Sequence, residues 1–218
     1  MILTAIRSGK LTSPAQPDLL PLLSDSLVVA KVFDPDFMAN ALSDGEWQGS
    51  AIDYCGHLAC NEESAYTKLG SMNGVELPIF YGTYKSGDSY IILEYLTSPS
   101  LYQYLVHSPE ESAALCLAAY SLIEKIQLKG VYHRDIEPSN LLWEPSLCEL
   151  KNFDFEFSSS EDGKSEAVFR RWAKRDKAEI RGILVDCGAE EPLPAPVWLF
   201  PPVIKLPPEP PEKPQSFV

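Results

Sequence analysis

The stretch that most constrains this chain is a strong helix signal that ends directly in front of a polar segment. Residues 108–129 (SPEESAALCLAAYSLIEKIQLK) open with Ser108, a good N-cap, carry Pro109 in the first turn and place Glu111 three residues after the cap; Gly130 follows as a stop. These features bound a helix at both ends, and Ser108 with Glu111 predicts a capping box. The interior is rich in Ala and Leu, so the helix is expected to be buried. Three residues past Gly130 the chain reads HRDIEPSN and passes at once into an apolar LLW. Taken by itself, that segment is a polar turn between a helix and a strand.

The remaining elements follow from periodicity and punctuation. Residues 2–7 read as a strand, and residues 26–33 (SLVVAKVF) are β-branched enough for a buried strand that carries one lysine, Lys31. Residues 34–59 read as an irregular insertion, and residues 61–69 as a helix with Ala65, Tyr66 and Leu69 on one face. Residues 77–84 and 89–96 read as two strands of a hairpin turning through residues 85–88. Short strands are expected at 141–143 and 147–152, and a helix charged on one side at 165–184. Beyond residue 190 proline dominates, which predicts an extended, polyproline-like tail. Strands come first and helices later, joined by an extended segment at 94–100. That order predicts an α+β fold with a cleft between two lobes, divided as 1–96, 97–189 and a tail at 190–218.

The formal charge of −13 argues against general nucleic-acid binding, because such a surface repels phosphate backbones. It would repel a nucleotide triphosphate too, so any nucleotide site must rest on a local cation and on metal ions. No apolar run approaches the roughly 20 residues of a membrane span, and the first residues lack the pattern of a secretory signal. Five dispersed cysteines, an odd number, suit a reducing compartment, hence cytoplasm or nucleus. Cys55, His57 and Cys60 offer three metal ligands without a fourth.

HRDIEPSNLL at residues 133–142 resembles the catalytic loop of protein kinases, in which His-Arg-Asp is followed five residues after the Asp by Asn. The resemblance implies that Asp135 accepts the proton of a substrate hydroxyl and that Asn140 holds a metal on the phosphates. Around Asp154, fourteen residues after Asn140, the chain reads FDFE, where the family has Asp-Phe-Gly. Asp154 would then hold the metal and Phe155 would pack between lobes. Lys31 resembles the strand lysine that pairs with nucleotide phosphates. Glu62, or its neighbour Glu63, resembles the helix glutamate that orients that lysine. IILEYL at 91–96 resembles the strand and hinge around an adenine, with Leu93 at the back of the pocket and main-chain groups of Glu94 and Leu96 forming hydrogen bonds. Asp176 resembles the helix aspartate that buttresses the catalytic loop. The insertion after Lys31, the E-x-x-A-Y-x-x-L helix and the metal motif without glycine look like the compact, divergent fungal-type kinase domains.

The resemblance implies an ATP- and Mg²⁺-dependent transfer to a protein hydroxyl, on serine or threonine in preference to tyrosine. It also has gaps. No G-x-G-x-x-G precedes Lys31, and Arg7-Ser8-Gly9-Lys10 is a poor substitute. Glu137 stands where many such kinases carry a lysine, Glu156 replaces glycine, and no Ala-Pro-Glu follows. Those gaps keep open a pseudokinase or interaction module, and a small-molecule kinase. Glu156 adds a carboxylate two residues from Asp154, able either to help hold a cation or to repel a nucleotide.

Overall fold

The computed structural model describes residues 2–7, 27–36, 38, 49–86, 88–161 and 164–189. The proline-dense stretch read as a tail, and Ser8, Gly9 and Lys10, lie outside the described residues.

The first half builds a four-stranded antiparallel sheet from β1 (Ile2–Arg7), β2 (Leu27–Phe33), β3 (Phe80–Ser86) and β4 (Asp88–Glu94), in the order β1-β2-β4-β3. Lys31 faces Ile91 across the β2–β4 ladder and Val29 faces Leu93. Successive side chains of a strand point to opposite faces, and the two faces have different fates here. Val28, Ala30 and Ile92 form a small cluster on one face, while Phe33, Ile91 and Leu93 enter the main core on the other. Lys31 shares the parity of Phe33, so it projects toward the core side.

Helix α1 (Ala51–Lys68) packs on that side against β2, β3 and β4. Of the irregular insertion expected at 34–59, residues 51–59 are helical instead, since the helix expected at 61–69 begins ten residues earlier, at Ala51, and residues 37 and 39–48 lie outside the described residues. Ser50 caps it, accepting from the Asp53 N–H at 3.1 Å while the Asp53 carboxylate accepts from the Ser50 N–H at 3.3 Å. Its first turns hold Gly56 and polar residues that blur the apolar period. The buried positions Cys55, Leu58, Ala59, Glu62, Ala65, Tyr66 and Leu69 nevertheless form one stripe at helical spacing. One member of that apolar stripe is a glutamate. Strand β3 also starts later than expected, at Phe80, because Leu77 bridges back to Asn73 and Pro78 intervenes. Strand β4 ends at Glu94, two residues short of the expected 96.

The second half is mainly helical. Helix α2 (Pro109–Leu128) is capped by Ser108, whose hydroxyl accepts from the Glu111 N–H at 3.1 Å. The reciprocal half of the expected capping box is absent; the Glu111 carboxylate takes the His107 N–H, one residue earlier, at 2.7 Å. Gly130 ends this segment at φ 69°, a left-handed conformation that glycine adopts at little cost. There follow β5 (Val131–Tyr132), a 3-10 turn at Pro138–Asn140, the hairpin β6 (Leu141–Glu144) with β7 (Glu149–Asn152), β8 (Ser159–Ser160) paired to β5, and α3 (Glu166–Asp186). The arrangement is α+β. Leu115, Ala119, Leu122 and Ile126 of α2 share the core with Trp143, Leu150, Ile180 and Leu184. Among the described residues, no helix is long and apolar enough to cross a membrane.

Candidate functional site

Lys31, Glu62 and Asp154 come from a strand, a helix and a loop far apart in sequence, and they meet. The Lys31 ammonium lies 2.5 Å from Glu62 Oε2, is hydrogen-bonded to Asp154 Oδ1, and lies 2.9 Å from Glu156 Oε2. Lys31 is 2% exposed and Glu62 0%. Burial disfavours the charge on Lys31, but the carboxylates of Glu62, Asp154 and Glu156 outweigh it and lift the amine above its usual range. Burial pushes Glu62 the other way, up to about 7, with Lys31 opposing the rise and the neighbouring Asp154 and Glu156 adding to it. One ammonium therefore serves three carboxylates.

Glu62, and not its neighbour Glu63, meets Lys31. Glu63 accepts the Thr83 hydroxyl of β3 at 2.7 Å, on another face of the helix. Asn61, which sequence reasoning missed, donates to the Glu156 carbonyl at 3.1 Å and ties α1 to the segment carrying Asp154. Nothing in the sequence marks Asn61, because its partner is a main-chain oxygen. Phe155 is fully buried, edge-on to Tyr66 at 5.3 Å and tilted against His133 at 4.7 Å. It thus packs between α1 and the loop that begins at His133.

That loop is held from beneath. Asp176 of α3 accepts the His133 N–H at 3.1 Å and the Arg134 N–H at 3.0 Å. Burial raises the Asp176 carboxyl to about 6 against the pull of those two donors. His133 Nε2 faces the Phe153 carbonyl at 3.1 Å, so it donates, and burial lowers the pKa of the imidazole. The Phe153 N–H in turn reaches the Asn140 carbonyl at 3.2 Å. Arg134 and Asp154 both sit in left-handed backbone, at φ 68° and 69°. Non-glycine residues are uncommon there and persist where their surroundings fix them.

Asp135 is half-buried, and burial, then Glu137 and Asp154, raise its pKa above the ordinary aspartate value. The Asn140 amide nitrogen donates to the Asp135 carbonyl at 3.3 Å, and its Oδ1 meets the Ser139 hydroxyl at 3.4 Å. Glu62, Asp154 and Glu156 each offer an oxygen within 4.8 Å of the others, a donor set suited to a hard divalent cation. Glu62 Oε1 is buried and without a hydrogen-bond partner among the described residues. Cys55 is buried and Cys60 exposed on α1, and among the described residues no metal-ligand cluster includes Cys55, His57 or Cys60.

A cleft of about 170 Å³ opens beside these charges. Val29, Leu93, Leu96 and Leu142 line its apolar part, and Lys31, Glu62 and Asp154 its polar end. The Glu94 N–H is bonded to the Ile79 carbonyl at 2.8 Å, and its carboxylate accepts the Ile79 N–H at 3.1 Å. A larger cavity, about 320 Å³, lies behind Arg134 between α1 and β8, lined by His57, Lys68, Lys164 and Ser159 among others.

No protein-family model matches the chain. It is similar to a curated protein, serine/threonine-protein kinase D of Synechocystis sp., with 31% identity over 121 residues. The matched stretch is 55% of this chain and 22% of that protein, so the chain spans about a fifth of its relative's length. Over that half of the chain the likeness is to a kinase.

Proposed function

We propose that this chain is a two-lobed, protein-kinase-like phosphotransferase that uses ATP and Mg²⁺ to phosphorylate a serine or threonine hydroxyl of a protein. Residues 1–96 would form the nucleotide-binding lobe and residues 97–189 a shortened catalytic lobe. The observation that carries this reading is the convergence of Lys31, Glu62 and Asp154 at the polar end of an apolar cleft. An apolar cleft bordered by Lys31, Glu62 and Asp154 suits a ligand with an aromatic base and a polyphosphate.

In this reading Val29, Leu93 and Leu142 sandwich the base. The Glu94 N–H is already used within the fold, so hydrogen bonds to the base come from the Glu94 carbonyl and from the main chain of Leu96. Lys31, oriented by Glu62, takes the phosphates. Asp154 and Asn140 hold Mg²⁺, which supplies positive charge against the phosphates when bound. Asp135 accepts the hydroxyl proton, and its raised pKa brings it nearer to the operating pH of a general base. The left-handed backbone at Arg134 and Asp154 holds the two loops in register.

The test is a thermal shift with ATP, with and without Mg²⁺. A ligand at about 100 times its dissociation constant adds roughly 2.7 kcal/mol, or on the order of 5–10 °C for a chain of this size. Absence of any shift with Mg²⁺ and ATP would overturn the nucleotide site. A second reading, a pseudokinase that binds nucleotide without transfer, is favoured by the Glu156–Lys31 ion pair at 2.9 Å. It predicts the same shift with no incorporation of labelled phosphate into the chain or a generic protein substrate.

A further inference from the structure

The Lys31 ammonium lies where a metal ion would sit among three carboxylates. Glu62 Oε2 and Glu156 Oε2 lie at 2.5 and 2.9 Å from it, and Asp154 Oδ1 is hydrogen-bonded to it. Three carboxyl groups share one ammonium, which leaves negative charge uncompensated in a nearly dry place. Side chains of Asp154 and Glu156 are 11% and 13% exposed, so water screens them little. A second observation is independent of that charge count. Glu62 is wholly buried and its Oε1 has no hydrogen-bond partner among the described residues, a cost that a native site rarely leaves unmet. Both facts ask for one more cation than the chain supplies.

Asp154 and Glu156 are separated by one residue, and that residue is fixed. Phe155 is fully buried between Tyr66 and His133, and the Glu156 carbonyl is held by Asn61 at 3.1 Å. The Glu156 side chain is therefore aimed into the site by the backbone around it. Resting on the proposed nucleotide site, we infer that Glu156 is a metal-binding residue that joins Asp154 and the unpartnered Glu62 Oε1 to hold a divalent cation before any nucleotide arrives, while Glu62 Oε2 stays on Lys31. The grip of Asp154 and Glu156 on Lys31 is the cation-poor form. When Asp154 and Glu156 hold Mg²⁺ or Mn²⁺, Lys31 keeps Glu62 as its partner and is released toward the cleft. Without the cation, both carboxylates occupy the ammonium that phosphates need, so metal-free nucleotide binding is blocked by the chain itself.

The experiment uses the full chain and Mn²⁺ as the probe, with no nucleotide, reading free Mn²⁺ by its paramagnetic resonance signal. The parent should bind one Mn²⁺, and Glu156→Gln, which keeps the side-chain shape, should bind it at least tenfold more weakly. A thermal melt of Glu156→Gln checks that it folds, and Glu156→Ser serves as a second variant. ATP titrations with Mg²⁺ and with chelator form the other arm. The gap between metal-loaded and metal-free affinity should be at least tenfold in the parent and should narrow in Glu156→Gln, because Lys31 has lost a competing carboxylate. No Mn²⁺ binding by the parent, or equal Mn²⁺ affinity in parent and variants, overturns the inference. Mn²⁺ bound through Glu156 but no ATP bound in any condition sustains the metal site and overturns the nucleotide reading instead.

Discussion

Asp176 Oδ1 takes the main-chain N–H of Arg134 at 3.0 Å, and this bond from α3 fixes a residue whose φ is 68°. The other oxygen of the same carboxylate takes the His133 N–H at 3.1 Å. Asp176→Ala would leave two main-chain donors without their acceptor, one of them on a fully buried residue. Each stranded buried donor costs about 1–3 kcal/mol, and relaxation or water entry recovers part. The expected loss is about 3 kcal/mol in urea unfolding at pH 7. Asp176→Asn, which keeps one acceptor oxygen, should lose less. Equal and small losses would show that the loop holds its shape without Asp176.

Two buried carboxyls set an unusual dependence on pH. Glu62 is raised from 4.5 to about 7 and Asp176 from 3.8 to about 6. Within those windows the folded chain holds protons that the unfolded chain has released, so stability falls as pH rises. Asp135, also raised, adds to the same sign. His133 has the opposite sign: its folded pKa is lowered, so its contribution is present above 6.5 and lost as pH falls through the folded value. The lowered carboxylates Asp53, Glu111 and Glu144 act below about pH 4.5. The urea midpoint is therefore expected to be higher at pH 5.5 than at 7.5. Asp176→Asn should flatten the part of the curve between 4 and 6, and an unchanged slope would remove Asp176 as its source.

On the proposed phosphotransferase reading, Asp135→Asn should abolish phosphoryl transfer while leaving the thermal shift with ATP and Mg²⁺ intact. The side chain is half-buried on the loop, and no hydrogen bond from it to Lys31 or Asn140 supports the charge cluster; Asn140 reaches the Asp135 main-chain carbonyl instead. The substitution keeps the side-chain shape and removes the proton acceptor. Transfer at the parent rate would show that another group takes the proton, and loss of the ATP shift would place Asp135 in binding.

What was legible in the sequence follows from how local each signal is. Helix α2, with its serine cap and glycine stop, and the strand carrying Lys31 are local patterns, and both stand within a residue of expectation. HRDIEPSN and FDFE stand out by residue type and spacing, and in the fold the Phe153 N–H meets the Asn140 carbonyl at 3.2 Å. The first ten residues of α1 were not, since Gly56 and the polar residues near it dilute the apolar period that only packing against the sheet restores. Glu62 and Glu63 could not be separated by sequence because both are helix glutamates. The buried stripe from Cys55 to Leu69 separates them, as Glu62 falls on it and Glu63 turns to Thr83. The direction of Glu156 was equally closed to sequence, because it depends on Asn61 and the buried Phe155 holding the backbone.

Lys31→Met isolates the charge cluster. The substitution keeps most of the stem volume and deletes the ammonium, so Glu62, Asp154 and Glu156 face one another within 4.8 Å with no counter-charge from Lys31. Breaking a buried ion pair from one side costs about 3–5 kcal/mol, because the remaining charges are left uncompensated. The sign of the pH response follows. Carboxylates that repel one another have folded pKa values raised above their unfolded ones, so stability returns as pH falls. Lys31→Met should thus be strongly destabilised at pH 7.5 and much less so at 5.5. Adding Glu156→Gln to it removes one of the three repelling charges, and the double variant should be more stable than Lys31→Met at pH 7.5. In the parent background Glu156→Gln also deletes a partner of Lys31, so the two changes should be non-additive by more than about 0.5 kcal/mol. Urea midpoints of the parent, both single variants and the double variant close the cycle. Additive effects would mean that Glu156 and Lys31 do not meet in solution.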